Sequence, residues 1–203
     1  MGKQVAGILL AAGEGSRLGT PKAVVELGGR RLADWGVALL RDGGTAPIVV
    51  VTGAVTLDMA GVVIVPNPDW RTGMASSLAA GLRALPGTSE AAVIALVDQP
   101  LIGPQAVGRL IAAYQTGATA AVAAYHGKPR NPVLLARRLW ADVLATATGD
   151  AGARSYLRAH PDLVTLVECT GTGSPDDVDT PEDLARVGRQ LATQSPRTGQ
   201  LRG

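Results

Sequence analysis

Phenylalanine is absent from this chain of 203 residues, and aromatic residues make up only 3% of it. The hydrophobic share of 46% must therefore rest on Val, Leu, Ile and Ala. That share, together with 18% charged residues, is close to ordinary globular usage and excludes wholesale disorder. A chain of this length fits one domain with a continuous core, whereas two independent domains would be cramped.

Cysteine and histidine are also scarce. The single cysteine, Cys169, cannot form an internal disulfide, and His126 and His160 lack any zinc-ligand spacing, so we expect a reducing, cytoplasmic location. No run of about 18 apolar residues is free of a charge, a glycine or a proline, and the apolar stretch at 5–12 is too short for a signal peptide. We therefore expect no membrane contact.

A net charge of +2 is too small to indicate a nucleic-acid surface.

Apolar runs alternate with amphipathic stretches along the chain, which predicts an α/β domain with a mostly parallel sheet. The unbroken run PIVVVT is typical of a strand buried on both faces. Thr180 is predicted to cap a last helix that begins at Pro181 and has Asp183 in its first turn. We expect one domain over 1–192 and a disordered tail over 193–203. Predicted strands cover 5–10, 47–52, 62–65, 91–97, 118–125 and 163–168, and further predicted helices cover 31–40, 73–85, 104–114, 136–145 and 151–159.

The stretch LAAGEGSRLGTPK, residues 10–22, places a glycine-rich turn directly after the first predicted strand. Gly13, Gly15 and Gly19 fit either a dinucleotide or a triphosphate, and such spacing alone is a weak signal in a chain with 26 glycines. A dinucleotide fingerprint should open directly into a helix and be followed about 20 residues later by an acid. Pro21 interrupts such a helix, and the second strand ends in VTGAV without an acid, which favours a triphosphate.

Two cations of this stretch suit phosphate oxygens. Arg17 offers a planar fork of donors, and Lys22 offers a point charge. Lysine is rare in this chain, since Lys3, Lys22 and Lys128 stand against sixteen arginines. A lysine directly after a proline turn therefore indicates a phosphate-binding residue, with a solvated loop lysine as the alternative.

Acidic residues near the ends of predicted strands suit magnesium, which takes one or two carboxylates and completes its shell with water and phosphate. Asp98 ends a buried strand in LVDQP, at the edge where parallel sheets bind ligands. Asp177 and Asp179 are two positions apart, so they point the same way in an extended segment. We expect one of these two to be a second metal ligand. The alternatives are an Asp98 that begins a turn and an Asp179 that caps the last helix.

The stretch NPDWRTGMASSL, residues 67–78, precedes and enters a predicted helix. Gly73 allows close approach of a ligand to the backbone. Ser76 and Ser77 fall in the first helical turn, where they either contact a base or an anion or simply cap the helix. Trp70 is interpreted as a packing residue.

The stretch GKPRNPVLL, residues 127–135, is predicted to be a polar turn between apolar segments. It either binds an acidic acceptor through Lys128 and Arg130 or is an ordinary loop. No GxSxG motif surrounds Ser16, and neither histidine has a partner nearby in sequence for a catalytic triad. Hydrolysis through a protein nucleophile is therefore unsupported.

Together these motifs resemble one family, the MobA-like nucleotidyltransferases, and within it the molybdenum cofactor cytidylyltransferase branch. The resemblance runs from Val5 to about Leu191, with the motifs in the family's order. The ordered set is much more specific than any single motif. Its members are LAAGEGSRLGTPK, NPDWRTGMASSLAAGL, LVDQP, NPVLL, GDAGARSYL and DVDTPEDL.

The resemblance implies a Rossmann-like three-layer α/β fold that binds a nucleoside triphosphate (NTP) and Mg²⁺. Such enzymes transfer a nucleoside monophosphate to a phosphorylated acceptor and release pyrophosphate, and they need no protein nucleophile. The implied catalytic residues are Arg17, Lys22 and Asp98, and the implied metal ligands are Asp98 and Asp179. The implied nucleotide-binding residues are Leu10, Ala11, Ala12, Gly13, Gly15, Ser16, Gly73 and Ser77.

The sequence LAAG is similar to the cytidylyl branch, whereas guanylyl enzymes usually show LAGG. CTP is therefore the expected nucleotide, molybdopterin cofactor (a phosphorylated pterin) the expected acceptor, and a molybdoenzyme the expected client. Members of the branch commonly read GHP where this chain reads PRNP, and the resemblance places Lys128, Arg130 and Asn131 against the acceptor. Some proteins that resemble this family are oxidoreductases. The alternatives are an NAD(P)- or flavin-dependent oxidoreductase on the same fold, or a non-catalytic carrier of the molybdenum cofactor.

Overall fold

A computed structural model describes residues 4–194 of the chain. Its strands are β1 (Val5–Ala11), β2 (Glu26–Leu27), β3 (Arg30–Arg31), β4 (Ile48–Thr52), β5 (Val63–Pro66), β6 (Ala91–Leu96), β7 (Ala120–Tyr125), β8 (Lys128–Ala136) and β9 (Val164–Glu168). Its α-helices are α1 (Leu32–Asp42), α2 (Met74–Ala84), α3 (Pro104–Gln115), α4 (Trp140–Thr146), α5 (Arg154–Ala159) and α6 (Pro181–Gln194). Across these residues no helix is long and apolar enough to cross a membrane.

Seven of the strands form one sheet in the order β5-β4-β1-β6-β8-β7-β9. The pairs β4–β5, β1–β4, β1–β6 and β7–β9 are parallel. Strand β8 is antiparallel to both of its neighbours, β6 and β7. The remaining strands, β2 and β3, form a separate antiparallel pair. The predicted α/β fold with a mostly parallel sheet is therefore confirmed.

Helices cover both faces of the large sheet, so the fold has three layers. One apolar core joins the sheet to α1, α3 and α6, and a second joins it to α2, α4 and α5. Strand β4 shows why its unbroken apolar sequence suits this position: Val50 packs into the first core, while Val49 and Val51 pack into the second. A strand between two helical layers must be apolar at every position, as predicted.

Residues 128–136 form a strand, so the interpretation of 127–135 as a turn is wrong. Tyr125 pairs with Lys128, which leaves a two-residue turn made of His126 and Gly127. Both have positive φ, 53° and 73°, as the tightest hairpin turns require. Asn-Gly is the usual sequence signal for such a turn, and this chain has His-Gly there, so the sequence does not predict the hairpin. The polar residues after the turn are exposed at the tip of a hairpin, which explains why the sequence resembles a loop there.

Other boundaries also differ from the sequence predictions. The helix expected at 136–145 begins with a 3₁₀ turn, Arg137–Leu139, and the helix expected at 151–159 begins only at Arg154. The small β2–β3 hairpin has no counterpart among the predicted strands. Helix α6 continues to Gln194, so the first two residues of the expected tail are helical. Residues 195–203 lie outside the described residues.

The predicted start of α6 is confirmed by reciprocal hydrogen bonds. The Asp183 N–H donates to Thr180 Oγ1 at 3.2 Å, and the Thr180 N–H donates to Asp183 Oδ2 at 3.1 Å, so the pair forms a capping box. The Arg186 guanidinium and the Thr180 groups hold the pKa of the Asp183 carboxyl at about 2. Pro181 occupies the first helical position, where its missing N–H removes no helical hydrogen bond.

Thr180→Ala is expected to lower the free energy of unfolding by about 1 kcal/mol, because the first turn of α6 loses its side-chain cap. Urea denaturation followed by circular dichroism measures the change. Thr193→Ala is the matched control, since the Thr193 hydroxyl donates to the Gln190 carbonyl on an exposed face of the same helix. Equal losses in the two variants would contradict the capping role.

Candidate active site

A cavity of about 510 Å³ opens at the sheet edge where β1 and β6 end. Ligands bind at this edge of open parallel sheets, because the loops that follow the strands meet there. Most of the wall comes from three segments, which are the loop after β1, the stretch 70–77 that leads into α2, and the end of β6, and Asp150 adds to it from the turn at 149–151. The lining residues are Leu10, Ala12, Gly13, Glu14, Lys22, Trp70, Arg71, Gly73, Met74, Ser77, Leu96, Val97, Asp98 and Asp150.

The glycine-rich loop after β1 folds back on itself and delivers Lys22 to the cavity. Gly15 has a φ of 62°, and its carbonyl accepts a hydrogen bond from the Leu18 N–H at 2.8 Å. A Cβ on Gly15 would collide with the Thr20 carbonyl oxygen and lie 3.1 Å from the Lys22 nitrogen. Glycine is therefore required at this position by the close approach of backbone to backbone, as well as by its φ.

The Lys22 ammonium lies between two carboxylates that come from distant parts of the chain. Lys22 Nζ donates to Asp98 Oδ2 at 2.8 Å and also contacts Asp179 Oδ1. Arg17 Nη1 lies 3.9 Å from Asp179 Oδ2, and the Arg17 side chain is 73% exposed. Burial lowers the pKa of Lys22, but the Asp98 and Asp179 carboxylates more than offset that effect and raise it above its usual value. Lys22 is therefore a charged ammonium held by a carboxylate pair.

The backbone around the two carboxylates is tied together. The Val178 N–H donates to the Asp98 carbonyl at 2.8 Å, which fixes the segment before α6 against the end of β6. Gln99 Nε2 donates to Asp177 Oδ1 at 2.9 Å. Burial, and then the charge of Asp98, raise the pKa of the Asp177 carboxyl. Asp177 is thus held to the side by Gln99, and Asp179 is the acid that contacts Lys22.

One oxygen of Asp98 has no partner among the described residues. Asp98 Oδ1 is buried and accepts no hydrogen bond, although Oδ2 is paired with Lys22. Within residues 4–194 no group of three or more His, Cys, Asp or Glu side chains is arranged to hold a metal ion. The carboxylates of Asp98 and Asp179 nevertheless both contact the Lys22 ammonium, so they lie close together. The unpaired Asp98 Oδ1 is a hard oxygen donor of the kind that Mg²⁺ binds. This donor set fits a divalent ion that keeps water or phosphate as its other ligands.

The start of α2 forms a second wall around Ser77, which is 4% exposed. Asn67 Nδ2 donates to Ser76 Oγ at 2.9 Å and to Ser77 Oγ at 3.0 Å. The buried Asn67 therefore fixes both hydroxyls. Gly73 has a φ of 113° and packs directly on the backbone of Gly149, so a side chain at this position would push the two segments apart.

Sequence reasoning missed several residues of the cavity. Trp70 packs beside Gly53, as a packing residue should, but it also lines the cavity, and the Arg71 guanidinium lies 4.3 Å from the centre of its ring. Asp150 Oδ1 accepts a hydrogen bond from the Met74 N–H at 3.3 Å, at the first residue of α2. Trp70 and Arg71 lie in the motif NPDWRTG, and Asp150 lies in GDAG. Both motifs belong to the family resemblance, but neither one predicts these contacts.

The structure brings only part of the predicted set into the cavity. Leu10, Ala12, Gly13, Lys22, Gly73, Ser77 and Asp98 line it. Ala11 is buried at the end of β1, and Asp179 reaches the site through its contact with Lys22. Gly15, Ser16 and Arg17 lie in the loop, outside the lining.

The three residues assigned to the acceptor do not line the cavity. Lys128, Arg130 and Asn131 lie on β8, at its mostly exposed first half. Because β8 is antiparallel to β6, with Val133 opposite Ile94, its first half points towards the same sheet edge as Asp98. These residues therefore lie on the strand next to β6, outside the lining of the cavity.

Known proteins are similar to this chain over most of its length. Nicotine blue oxidoreductase of Paenarthrobacter nicotinovorans is 38% identical over 197 residues, 90% of this chain and 96% of that protein. The crystal structure of the Mycobacterium sp. strain JC1 homologue of Mycobacterium tuberculosis Rv0371c is 32% identical, with a TM-score of 0.83 over 94% of this chain and 98% of that one.

A cytidylyltransferase shares the fold at lower sequence identity. The 2-C-methyl-D-erythritol 4-phosphate cytidylyltransferase of Thermus thermophilus is 23% identical, with a TM-score of 0.73 over 94% of this chain and 99% of that one. The family model of the MobA-like NTP transferase domain matches residues 7–164, which contain the glycine-rich loop, Lys22 and Asp98. The chain belongs to the MobA-like NTP transferase family.

Proposed function

We propose that the protein is a Mg²⁺-dependent cytidylyltransferase that transfers CMP from CTP to molybdopterin cofactor and releases pyrophosphate. One observation carries the proposal: Lys22 and Asp98 meet 2.8 Å apart in the wall of a cavity that the glycine-rich loop builds at the sheet edge. A cation for phosphate and a carboxylate for a metal are the two groups that phosphate transfer needs from the protein.

The triphosphate is assigned to the loop after β1. Lys22 supplies a point charge, and Arg17, largely exposed beside Asp179, supplies a planar fork that can turn towards a phosphate. Leu10, Ala12 and Gly13 line the cavity along the path of the nucleotide, while Ala11, Gly15 and Ser16 support that path from the strand and the loop. The base and ribose are assigned to the wall that contains Gly73 and the fixed hydroxyl of Ser77.

The metal is assigned to Asp98 and Asp179. Bound there, Mg²⁺ would neutralise charge on the phosphate oxygens. Asp98 is anchored at the end of β6, and Val178 ties the segment of Asp179 to it, so the two carboxylates are placed before any ligand binds. Preplaced charges of this kind lower the barrier without a cost of reorganisation.

Transfer needs no protein nucleophile, because the acceptor's ionised phosphate is already the attacking group. The oxygen of that phosphate attacks the α-phosphorus of CTP, a new P–O bond forms, and the bond to the β-phosphate breaks to release pyrophosphate. Arg17 and Lys22 stabilise the charge that gathers on the leaving group. The chain's contribution is therefore position and charge.

The acceptor is assigned to the side of the cavity that faces the first half of β8. Lys128, Arg130 and Asn131 offer cationic and amide groups for a phosphorylated pterin beside the sheet edge of Asp98. The cytidylyltransferase that shares the fold acts, by its name, on a 4-phosphate, which supports both CTP and a phosphorylated acceptor. A cytoplasmic molybdoenzyme is the proposed client.

A second candidate rests on the similarity to nicotine blue oxidoreductase, which is 38% identical over nearly the full length. It assigns an NAD(P)- or flavin-dependent oxidation to the same cavity. The end of β4 disfavours this candidate, because Thr52 is followed by Gly53 and Ala54 and no acid is present to bind a dinucleotide ribose. A non-catalytic cofactor carrier differs from both candidates in binding its ligand without turnover.

A nucleotide screen separates these candidates. The purified protein, incubated with each of the four NTPs, Mg²⁺ and molybdenum cofactor, is expected to release pyrophosphate fastest with CTP. Thermal shift with the same nucleotides, and with NADPH and flavins, measures binding independently of turnover. Failure to bind any NTP would exclude the transferase, saturable NADPH binding that CTP does not displace would favour the oxidoreductase, and binding without pyrophosphate release would favour the carrier.

A further inference from the structure

We infer that Lys22 is an internal cation that occupies the Asp98–Asp179 site and excludes a divalent metal from it until a nucleotide draws the ammonium away. The inference rests on the proposed function and adds a property to it. Metal and triphosphate should bind cooperatively, because each favours the state in which Lys22 has left the two carboxylates.

The position of the Lys22 ammonium carries the first step. Its Nζ lies 2.8 Å from Asp98 Oδ2 and also contacts Asp179 Oδ1, so one positive charge bridges two carboxylates. The Lys22 side chain is 17% exposed and that of Asp98 is 20% exposed, so solvent screens this pair less than it screens a surface ion pair. A metal ion that bound both carboxylates would have to compete with the ammonium for the same oxygens.

The Lys22 side chain, and not the carboxylates, is the part that can move. The backbone around Asp98 and Asp179 is held by the hydrogen bond from the Val178 N–H to the Asp98 carbonyl and by the capping box at the start of α6, and each carboxylate is only one CH₂ group away from that backbone. Lys22 presents its charge on a flexible four-carbon stem and already lines the cavity. Its ammonium can therefore turn from the carboxylates to a phosphate with the backbone in place.

The balance of charge explains why the site should bind a divalent metal once Lys22 has turned away. When Lys22 leaves, the carboxylates of Asp98 and Asp179 face each other with no cation between them, and Asp98 Oδ1 already lacks a partner among the described residues. That concentration of negative charge attracts a divalent cation. A triphosphate, in turn, offers Lys22 and Arg17 more negative charge than the two carboxylates do, so the nucleotide favours the open site.

The test uses Mn²⁺ alone, without nucleotide, so that its outcome is separate from that of the transferase proposal. Mn²⁺ is titrated into the wild-type chain and into Lys22→Met, with binding measured by electron paramagnetic resonance of the free ion. Lys22→Met is expected to bind Mn²⁺ about tenfold more tightly than the wild type, within the usual range of coupling between sites. Lys22→Gln, a polar replacement, should show the same gain if the methionine variant folds poorly.

Two further variants make the result specific. Arg83→Met, at an exposed arginine in the last turn of α2, removes one positive charge at the end of the helix that lies away from the cavity and should leave Mn²⁺ binding unchanged. Adding Asp98→Asn to Lys22→Met should abolish the gain, because the freed site then lacks its buried carboxylate. Equal or weaker Mn²⁺ binding in Lys22→Met and Lys22→Gln, or a gain that survives Asp98→Asn, would overturn the inference even if CTP binds and reacts.

Discussion

Asp98→Asn is expected to slow nucleotidyl transfer by about a hundredfold or more and to leave the fold intact. The substitution keeps the size and shape of the side chain but removes the charge that holds the metal and pairs with Lys22. The Val178 N–H donates to the backbone carbonyl of this residue, so that hydrogen bond survives the change. Pyrophosphate release at saturating CTP and acceptor measures the rate, and circular dichroism melting checks the fold.

Asp42→Asn is the matched control for this variant. Asp42 is exposed at the last residue of α1, which leads back to the start of β4 and therefore lies away from the edge where the cavity opens. The Asp42→Asn variant should transfer the nucleotide at the rate of the wild type. Full activity in Asp98→Asn would remove this residue from the metal site, and a comparable loss in Asp42→Asn would show that the effect is not local.

The layers of the fold could be predicted because burial leaves a direct trace in the sequence. Strand β4 is apolar at Val49, Val50 and Val51 because helices cover both of its faces, and this run is visible without a structure. The start of α6 can also be predicted, since Thr180 and Asp183 are only three residues apart and exchange hydrogen bonds at the first turn of the helix. Hydrogen bonds between residues close in sequence, and strands buried on both faces, are therefore the features that can be predicted well from a single sequence.

The pairing at the site could be predicted only in part. Lys22 stands out in the sequence because lysine is rare and this one follows a proline turn, and Asp98 stands out because it ends a buried strand. Their direct contact spans 76 residues, and the contact with Asp179 spans 157, so no periodicity could reveal either. The sequence indicates which groups belong at the sheet edge, while only the folded chain shows that Lys22 neutralises the acids.

The errors have physical causes as well. The sequence predicts a turn at 127–135 because that stretch begins with polar residues, whereas these residues are polar because they lie at the exposed hairpin tip of β8. Asp150 has no role in the sequence prediction because its contact with Met74 closes over 76 residues and its segment has weak periodicity. Polarity reports exposure to solvent, and it does not distinguish a strand tip from a turn.

Gly15→Ala is expected to weaken CTP binding at least about tenfold, because it disturbs the loop that positions Lys22. The left-handed φ of 62° costs a residue with a side chain about 1–2 kcal/mol. The added Cβ also collides with the Thr20 carbonyl oxygen and crowds the Lys22 nitrogen, so the loop must shift where Lys22 begins. Isothermal titration with CTP and Mg²⁺ measures the affinity, and thermal melting measures the stability.

Gly19→Ala separates the two causes. Gly19 has a φ of 72°, so alanine there carries the same backbone strain, but an added Cβ meets no atom within 4 Å. This control should lose about 1 kcal/mol of stability and keep its affinity for CTP. If Gly15→Ala and Gly19→Ala bound CTP equally well, the close packing of the loop would not control nucleotide binding. A loss confined to Gly15→Ala would show that the contact between Gly15 and Thr20 places Lys22 for the triphosphate.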